Sequence, residues 1–454
     1  MADEPQSGTG RQLSRELGAG HAAAIVVGTV IGSGIFLVPA EMMQAAGSAG
    51  LVYLAWLAGG VLSFFGALTY SELSALKPET GGEYVYLRDA YGPLGGFLNS
   101  WTWFVIAKPA SIATITAGIV RTLEQFSTLS FLPNEVATGV PITYGQLLAI
   151  GCVLFISTLN YIGIRKAGDF QLVFTLLKVA MICGIVAVGF SYAGGSFANF
   201  STRYEHAQGG TAGFVAALVA ALWAYDGWND LTMVSGEVRR PERNLPIGLI
   251  GGVALLIGLY MAVNAAVQYV MPAAMVAASK RPAAEAVEAV LGPGAGSALS
   301  VGIAISMLVT LNGTVMSGAR PAFAMAKDGY FFPGLAEVHP RFHTPSTAIV
   351  VQAVMASLFL LLAGSFRQLF SLSIFSEWLI YMAAASTVFV FRGRGLAGPY
   401  RMWGYPVVPA VFIAASGWLL YHTFLDNLRN SLAGSLIILA GIPVYYFFAE
   451  RKRG

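Results

Sequence analysis

Charge is what this 454-residue chain has least of: Asp, Glu, Lys and Arg together make 11% of it, against 56% hydrophobic residues. That balance excludes an ordinary soluble globular domain. Cysteine is nearly absent, and the two present, Cys152 and Cys183, sit inside apolar stretches where they read as small buried residues. A disulfide framework or cysteine metal cluster is thereby excluded. The five histidines, His21, His206, His339, His343 and His422, are scattered and peripheral, so no metal centre or nucleophile–base pair for membrane-embedded hydrolysis can be assembled. A net charge of +3 is too slight to imply a nucleic-acid partner. The first nineteen or so residues lack the apolar core and cleavage site of a secretory signal, so the N-terminus is expected to stay in the cytosol.

What the chain does have is apolar stretches long enough to cross a hydrocarbon core of roughly 30 Å, and they recur about twelve times. The expected spans are about 20–45, 50–75, 94–122, 143–163, 168–192, 211–236, 245–271, 294–320, 345–364, 367–391, 406–424 and 430–450. The fold class is all-α integral membrane: one transmembrane domain over 20–450, with cytosolic tails at 1–19 and 451–454. With the N-terminus inside, about eighteen Lys and Arg fall on cytosolic segments and about six outside, which supports an even span number, both termini in the cytosol and a multi-pass protein of the cell membrane. Lys77 to Tyr84 and Arg320 to Pro345 are long cytosolic connections punctuated by turn and helix-start signals. Outside, Pro272 to Pro293 carries a helix-like piece around Ala283 to Leu291, long enough to fold over an entrance.

Two spans are interrupted, the first at Gly28-Thr29-Val30-Ile31-Gly32-Ser33-Gly34 and the sixth at Ala224-Tyr225-Asp226-Gly227-Trp228-Asn229. Lipid tolerates unpaired backbone only where it faces protein or a watery cavity, so a doubled interruption points to a substrate site. Spans one to five and six to ten each begin with such a break, and because five is odd the second set enters from the opposite side. An inverted repeat follows, about 20–192 against about 211–391, with spans eleven and twelve, about 406–450, outside it.

In the first break the amides of Ser33, Gly34 and Ile35 open a new half-helix, whose free N–H groups and dipole suit a carboxylate. In the sixth span the carbonyls of Trp223, Ala224 and Asp226 end the opposing half-helix and suit an ammonium group. Together the breaks select a small zwitterion. The competing reading is that the glycines merely allow close helix packing. Trp223, beside the second break, is placed to swing across a ligand as a gate, or to pack; Asn229 suits a ligand side chain and freed backbone equally.

Lys178 lies deep in span five, where an ammonium demands partners; the end carbonyls of the first half-helix and the hydroxyls of Ser306, Thr310 and Thr314 are expected to supply them. There it occupies the place of a bound cation, either replacing sodium or carrying a coupled proton. Asp226 and Glu377 are the remaining deep carboxylates, each suited to the distal charge of a lysine- or arginine-like substrate or to a structural role. Glu72 and Glu237 lie near cytosolic span ends, where Arg239, Arg240 and Arg243 are candidate partners for an inner gate or for solvated ion pairs. Lys108, followed by Pro109 in span three, is deep or near the outer surface.

The motifs Val30-Ile31-Gly32-Ser33-Gly34-Ile35-Phe36, Gly81-Gly82-Glu83-Tyr84-Val85-Tyr86, Leu222 to Asn229, Arg243-Asn244-Leu245-Pro246, and Pro399-Tyr400-Arg401 with Gly404-Tyr405-Pro406 stand in order along the chain. In them the sequence resembles the L-amino-acid transporter family of the amino acid–polyamine–organocation superfamily. The resemblance implies a LeuT-like 5+5 fold with discontinuous helices one and six, and sodium-independent, usually obligatory, amino-acid exchange. It implies that Ser33, Gly34 and Ile35 take the substrate carboxylate, that the carbonyls of Val30, Ile31, Trp223, Ala224 and Asp226 surround the amine, that Trp223 is the aromatic gate, and that Lys178 stands in the vacant sodium site. Family members that bind a heavy subunit have a cysteine in the loop after span three; Arg121 to Pro141 has none, so no disulfide-linked subunit is expected and the chain looks like a stand-alone prokaryotic member. Neutral-amino-acid members often have a small residue where Asp226 stands, and an aspartate looks like the branch handling cystine and dibasic amino acids. Exchange of neutral amino acids is the first expectation. A proton-coupled, or a cationic or dibasic amino-acid or polyamine, transporter is the alternative, and no cofactor is expected.

Overall fold

The computed structural model describes residues 13–137, 140–362, 366–426 and 428–453. Most of the expected N-terminal tail, the last residue of the C-terminal tail and the join between spans nine and ten lie outside the described residues. A helix stands at every stretch where a crossing was expected. Span one is two helices, Ala19–Val30 and Gly34–Ala46, bent by 40° where they meet. Spans two to five are Ala49–Leu76, Pro93–Leu123, Tyr144–Tyr161 and Ile164–Phe190. Span six is Gly210–Ala224, an unwound stretch, and the short helix Asp230–Met233. Spans seven to twelve are Pro241–Val270, Ala295–Lys327, Ser346–Leu362, Phe366–Gly393, Val407–Asp426 and Leu428–Arg453. Among the described residues, eight helices are long and apolar enough to cross a membrane, and nine if the bent pair is one crossing; Gly210–Ala224 and Ser346–Leu362 are apolar but shorter.

The packing repeats in the way an inverted duplication requires. Span two packs on span six and span seven on span one; span three packs on spans four, nine and ten, and span eight on spans nine, four and five. Each of these contacts has its counterpart when one to five are exchanged for six to ten, and the pairing of span three with span eight maps onto itself. This is the LeuT-like arrangement of a multi-pass membrane protein, with the two interrupted helices at its centre.

Several details depart from the sequence reading. Span eight runs to Lys327, through Pro321 and beyond the expected end at 320, so the connection that follows is shorter. Span six is not helical to 236: after the break only Asp230–Met233 and the turn Ser235–Glu237 are regular. The loop after span three holds a small antiparallel pair, Glu135–Ala137 with Val140–Thr143, where only helix was expected. Cys183 lies exposed on the outer face of span five rather than buried, and Cys152 is half-buried. The helix-like piece after span seven is present as Pro282–Leu291, seated through Ala283, Ala284, Ala286 and Val287.

The ion pairs near the span ends were also misassigned. Glu237 is gripped by Arg320 of span eight through two bonds of 2.9 and 3.1 Å, both side chains fully buried. Glu72 takes two bonds from Arg392 of span ten, 2.8 and 2.7 Å, and a third from the Met402 amide. Arg239, Arg240 and Arg243 pair with neither. Arg239 instead donates to the Arg15 carbonyl at 3.1 Å, which helps hold residues 15–17 against the backbone of Glu237, Val238 and Arg239, bridged at Leu17 and Val238. The reason is depth: the interior glutamates need interior cations, and only arginines on long helices reach them.

Candidate functional site

A cavity of about 110 Å³ lies where the two breaks face each other, lined from span one by Thr29, Val30, Gly32, Ser33 and Gly34 and from span six by Trp223, Ala224, Asp226, Gly227 and Asp230. Spans three, eight and ten close it with Lys108, Ser111, Thr310, Thr314, Glu377 and Tyr381 among others.

The breaks touch at Gly34. A methyl there would stand 3.1 Å from the Cα and Cβ of Ala224 and 3.5 Å from the Trp223 ring, so a larger residue would push the two backbones apart by a few tenths of an ångström. Gly227 has a φ of +102°, a conformation that side chains resist, and it turns span six out of its helix against Thr29. The helix Gly34–Ala46 starts with Ser33 as its cap residue, and the cap hydroxyl makes no bond to the helix. The first-turn amides of any helix have no partner within it, so these N–H groups are donors aimed at the break.

Tyr260 of span seven joins the breaks, and nothing in the sequence pattern singled it out. Its hydroxyl is 3.1 Å from the Val30 carbonyl and 3.0 Å from the Ala224 carbonyl, one proton shared between the ends of two half-helices. The only available signal was a hydroxyl in mid-span, common enough to be uninformative. Tyr260→Phe keeps the ring packed edge-on to Trp56 and tilted against Tyr225 but frees both carbonyls. A lost hydrogen bond of this kind is worth about 1 kcal/mol. The expected outcome is transport reduced several-fold in protein of unchanged melting behaviour, measured by counterflow and by thermal unfolding in detergent; wild-type flux would show that the bridge is idle.

Lys178, 3% exposed, directs Nζ at the carbonyls of Gly28 and Ile31, both at 2.7 Å, and at the Thr310 hydroxyl at 3.1 Å. Ser306 donates to the Ile31 carbonyl at 3.2 Å and so shares the acceptor rather than meeting the lysine. Thr314 faces the cavity and donates back to the Thr310 carbonyl, one turn away from the ammonium.

Not every expected residue reaches the cavity. The side chains of Ile31 and Ile35 are buried in the surrounding core; Ile31 contributes its carbonyl to Lys178, and of Ile35 only the backbone amide at the start of the half-helix is left for the site. Asn229 lies behind the cavity wall, where its amide nitrogen donates to Glu83 Oε1 at 2.7 Å and its oxygen accepts from the Tyr381 hydroxyl at 2.9 Å. It therefore ties the break to span ten and to the helix Glu83–Tyr91 instead of meeting a ligand. Trp223 is half-buried and lines the cavity, as do Ala224, Asp226 and Glu377.

Lys108 is deep. It forms an ion pair with Asp230, both nearly inaccessible, and its ammonium lies 4.7 Å from the centre of the Trp103 ring. A π-turn over Trp103–Ala107 delivers both to the cavity: the Lys108 amide bonds to the Trp103 carbonyl five residues back, just before Pro109. Such turns widen a helix and re-aim its side chains. Asp226 and Glu377 are thus not the remaining deep carboxylates; Asp230 and Glu83 belong with them. Asp230 was legible as an acid four residues after Asp226 in an apolar span, whereas Glu83 stood in a connection.

The profile of the family described as amino acid permease matches residues 17–448. The chain is 34% identical to the serine/threonine exchanger SteT of Bacillus subtilis (strain 168), over 97% of this chain and 98% of that protein. It is 32% identical to the human b(0,+)-type amino acid transporter 1 over 100% of this chain and 91% of the relative. The Asc-type amino acid transporter 1 of Mus musculus is 29% identical over 96% of this chain and 81% of its own length.

Proposed function

The chain belongs to the amino acid permease family, and from that premise we propose that it is a sodium-independent exchanger of neutral amino acids working by alternating access at this cavity. One observation carries the reading: the two half-helix breaks meet at Gly34 and Ala224, with Lys178 holding the carbonyl end of the first. The Ser33, Gly34 and Ile35 amides receive the substrate carboxylate, and the carbonyl groups of Val30, Trp223, Ala224 and Asp226 surround its amine, the Ile31 carbonyl being spent on Lys178, Ser306 and Thr310. Trp223 covers the ligand, and Lys178 fills the position a sodium ion would take in a cation-coupled relative. Residues 20–450 act as one transport unit, rocking one bundle against the other. It sits in the cell membrane with both termini in the cytosol, unassisted by a disulfide-linked subunit and without catalysing a reaction.

A second reading, transport of cationic or dibasic amino acids or polyamines, is favoured by Asp226 and Glu377 facing the same cavity. Both readings are tested with purified protein in proteoliposomes. Efflux of preloaded labelled alanine that requires external amino acid and persists when sodium is replaced by choline supports exchange. Net uptake driven by sodium or by a pH gradient without counter-substrate sinks it. Competition by unlabelled alanine, serine and arginine then assigns the side-chain class.

A further inference from the structure

Span five meets the first half-helix along a single stripe. Gln171, Thr175 and Lys178 follow one another at helical spacing and so share a face of span five, and Ala24, Gly28 and Ile31 follow one another in the same way along the chain of span one. The two stripes zip in parallel. Gln171 Nε2 and Thr175 Oγ1 donate to the Ala24 carbonyl at 3.4 and 3.2 Å, and one turn further on Lys178 donates to the carbonyls of Gly28 and Ile31, both at 2.7 Å. Gly28 permits the approach, because a Cβ there would collide with Thr175 Oγ1 and stand 2.6 Å from Gln171 Nε2.

Gln171 is aimed from behind by two more amides. Asn312 of span eight donates to the Ala167 carbonyl at 3.0 Å and to Gln171 Oε1 at 2.8 Å; a carbonyl can only accept, so this end of Asn312 is its nitrogen. The Asn312 oxygen then accepts at 2.9 Å from Asn160 of span four, whose nitrogen also reaches the Ile156 carbonyl at 3.0 Å. With its oxygen taken by Asn312, Gln171 is left to offer its nitrogen to Ala24. Asn160, Gln171 and Asn312 are all fully buried.

We propose that Gln171 and Thr175 are positioning residues that dock the first half-helix on span five, with Gln171 aimed by Asn160 and Asn312, and that this dock parts during transport while Lys178 keeps its hold as the pivot. The proposal rests on the alternating-access reading. Bond strength decides which end parts. The Lys178 contacts are short and charged, and such bonds are roughly twice as strong as neutral ones, whereas the two at Ala24 are long and neutral. Nearer the start of the chain His21 meets Asp169 at 2.9 Å, but Asp169 is exposed and a pair of that kind holds little.

Hydrogen–deuterium exchange of the purified full chain, read by mass spectrometry, reports on the dock. Gln171→Met and Thr175→Val, each of similar size to the residue replaced, remove one neutral bond. Each is expected to raise amide exchange over residues 19–30 about two- to tenfold, with residues 34–46 and the melting temperature little changed. Asn312→Leu, acting one step away, is expected to do the same by letting Gln171 turn, and Thr175→Ser, which keeps the hydroxyl, is expected to behave as wild type. In proteoliposomes, the ratio of half-saturating alanine concentrations on the two faces is expected to shift by a similar factor in Thr175→Val, because a looser dock favours one facing of the cavity. Exchange over 19–30 equal to wild type in both single-bond variants, a rise spread over every span, or a ratio that does not move overturns the proposal. Wild-type and variant proteins that show these exchange differences, with no counterflow by the wild type, overturn the transport reading and leave the dock standing.

Discussion

Replacing Lys178 by alanine is expected to lower exchange at least tenfold in protein that still inserts and purifies. The ammonium makes three bonds, to the carbonyls of Gly28 and Ile31 and to the Thr310 hydroxyl, and Lys178 is buried. A hydrogen bond to a charged group contributes about 1.5–3 kcal/mol, and here the negative end of a half-helix is left with only the neutral hydroxyls of Ser306 and Thr310 to answer it. Losing the lysine loosens the carbonyl end of Ala19–Val30 relative to spans five and eight, and with it the alignment of the Gly34 amides across the break. The orphaned oxygens are also the kind that hold sodium in broken-helix transporters. Partial rescue of Lys178→Ala by sodium over choline is therefore expected. Counterflow measured in both salts from acid to neutral pH decides the matter: kinetics equal to wild type under all conditions would remove Lys178 from any cation-replacing role.

The largest effect on stability is expected at Arg320. Arg320→Met leaves Glu237 fully buried without its two charge-assisted bonds, and breaking a buried pair by removing one partner typically costs about 3–5 kcal/mol. The pair ties the turn that follows the broken sixth span to span eight, and the same turn carries the backbone bonds from Glu16 and Leu17 to the Glu237 carbonyl. The variant should melt well below wild type in detergent and accumulate poorly in the membrane. Adding Glu237→Leu removes the stranded charge and should restore much of the loss, because an apolar pair of similar volume avoids the desolvation cost. If the single variant melts with wild type, the pair is not holding this face of the bundle. If the double variant is no better than the single, the cost lies in lost packing rather than in the stranded carboxylate.

Much of the site was legible because backbone chemistry announces itself. Two glycine-marked interruptions in otherwise continuous apolar helices can be read from residue order alone, and so can a lysine in the middle of Leu176-Leu177-Lys178-Val179-Ala180-Met181. The side chains around the breaks were harder. Asn229 suits a ligand side chain and freed backbone equally, yet the fold spends both ends of its amide on Glu83 and Tyr381. Tyr260, two bonds from joining the breaks, looks in sequence like any interfacial or packing tyrosine. Lys108 was left between two depths because a residue number in a long helix fixes height only when the helix ends are known, and the π-turn before it shifts its facing as well.

By itself the sequence determined that this chain lives in a membrane, that its helices number about twelve, and that two of them must come apart near their middles; hydropathy and unpaired backbone in lipid leave no other solution. Tertiary structure alone decided which charges answer one another. Lys108 with Asp230, Arg320 with Glu237 and Arg392 with Glu72 are all partners more than 80 positions apart. The physical reason is that a buried charge takes whichever partner the helix packing sets beside it, and that packing is a property of the assembled bundle rather than of any one span.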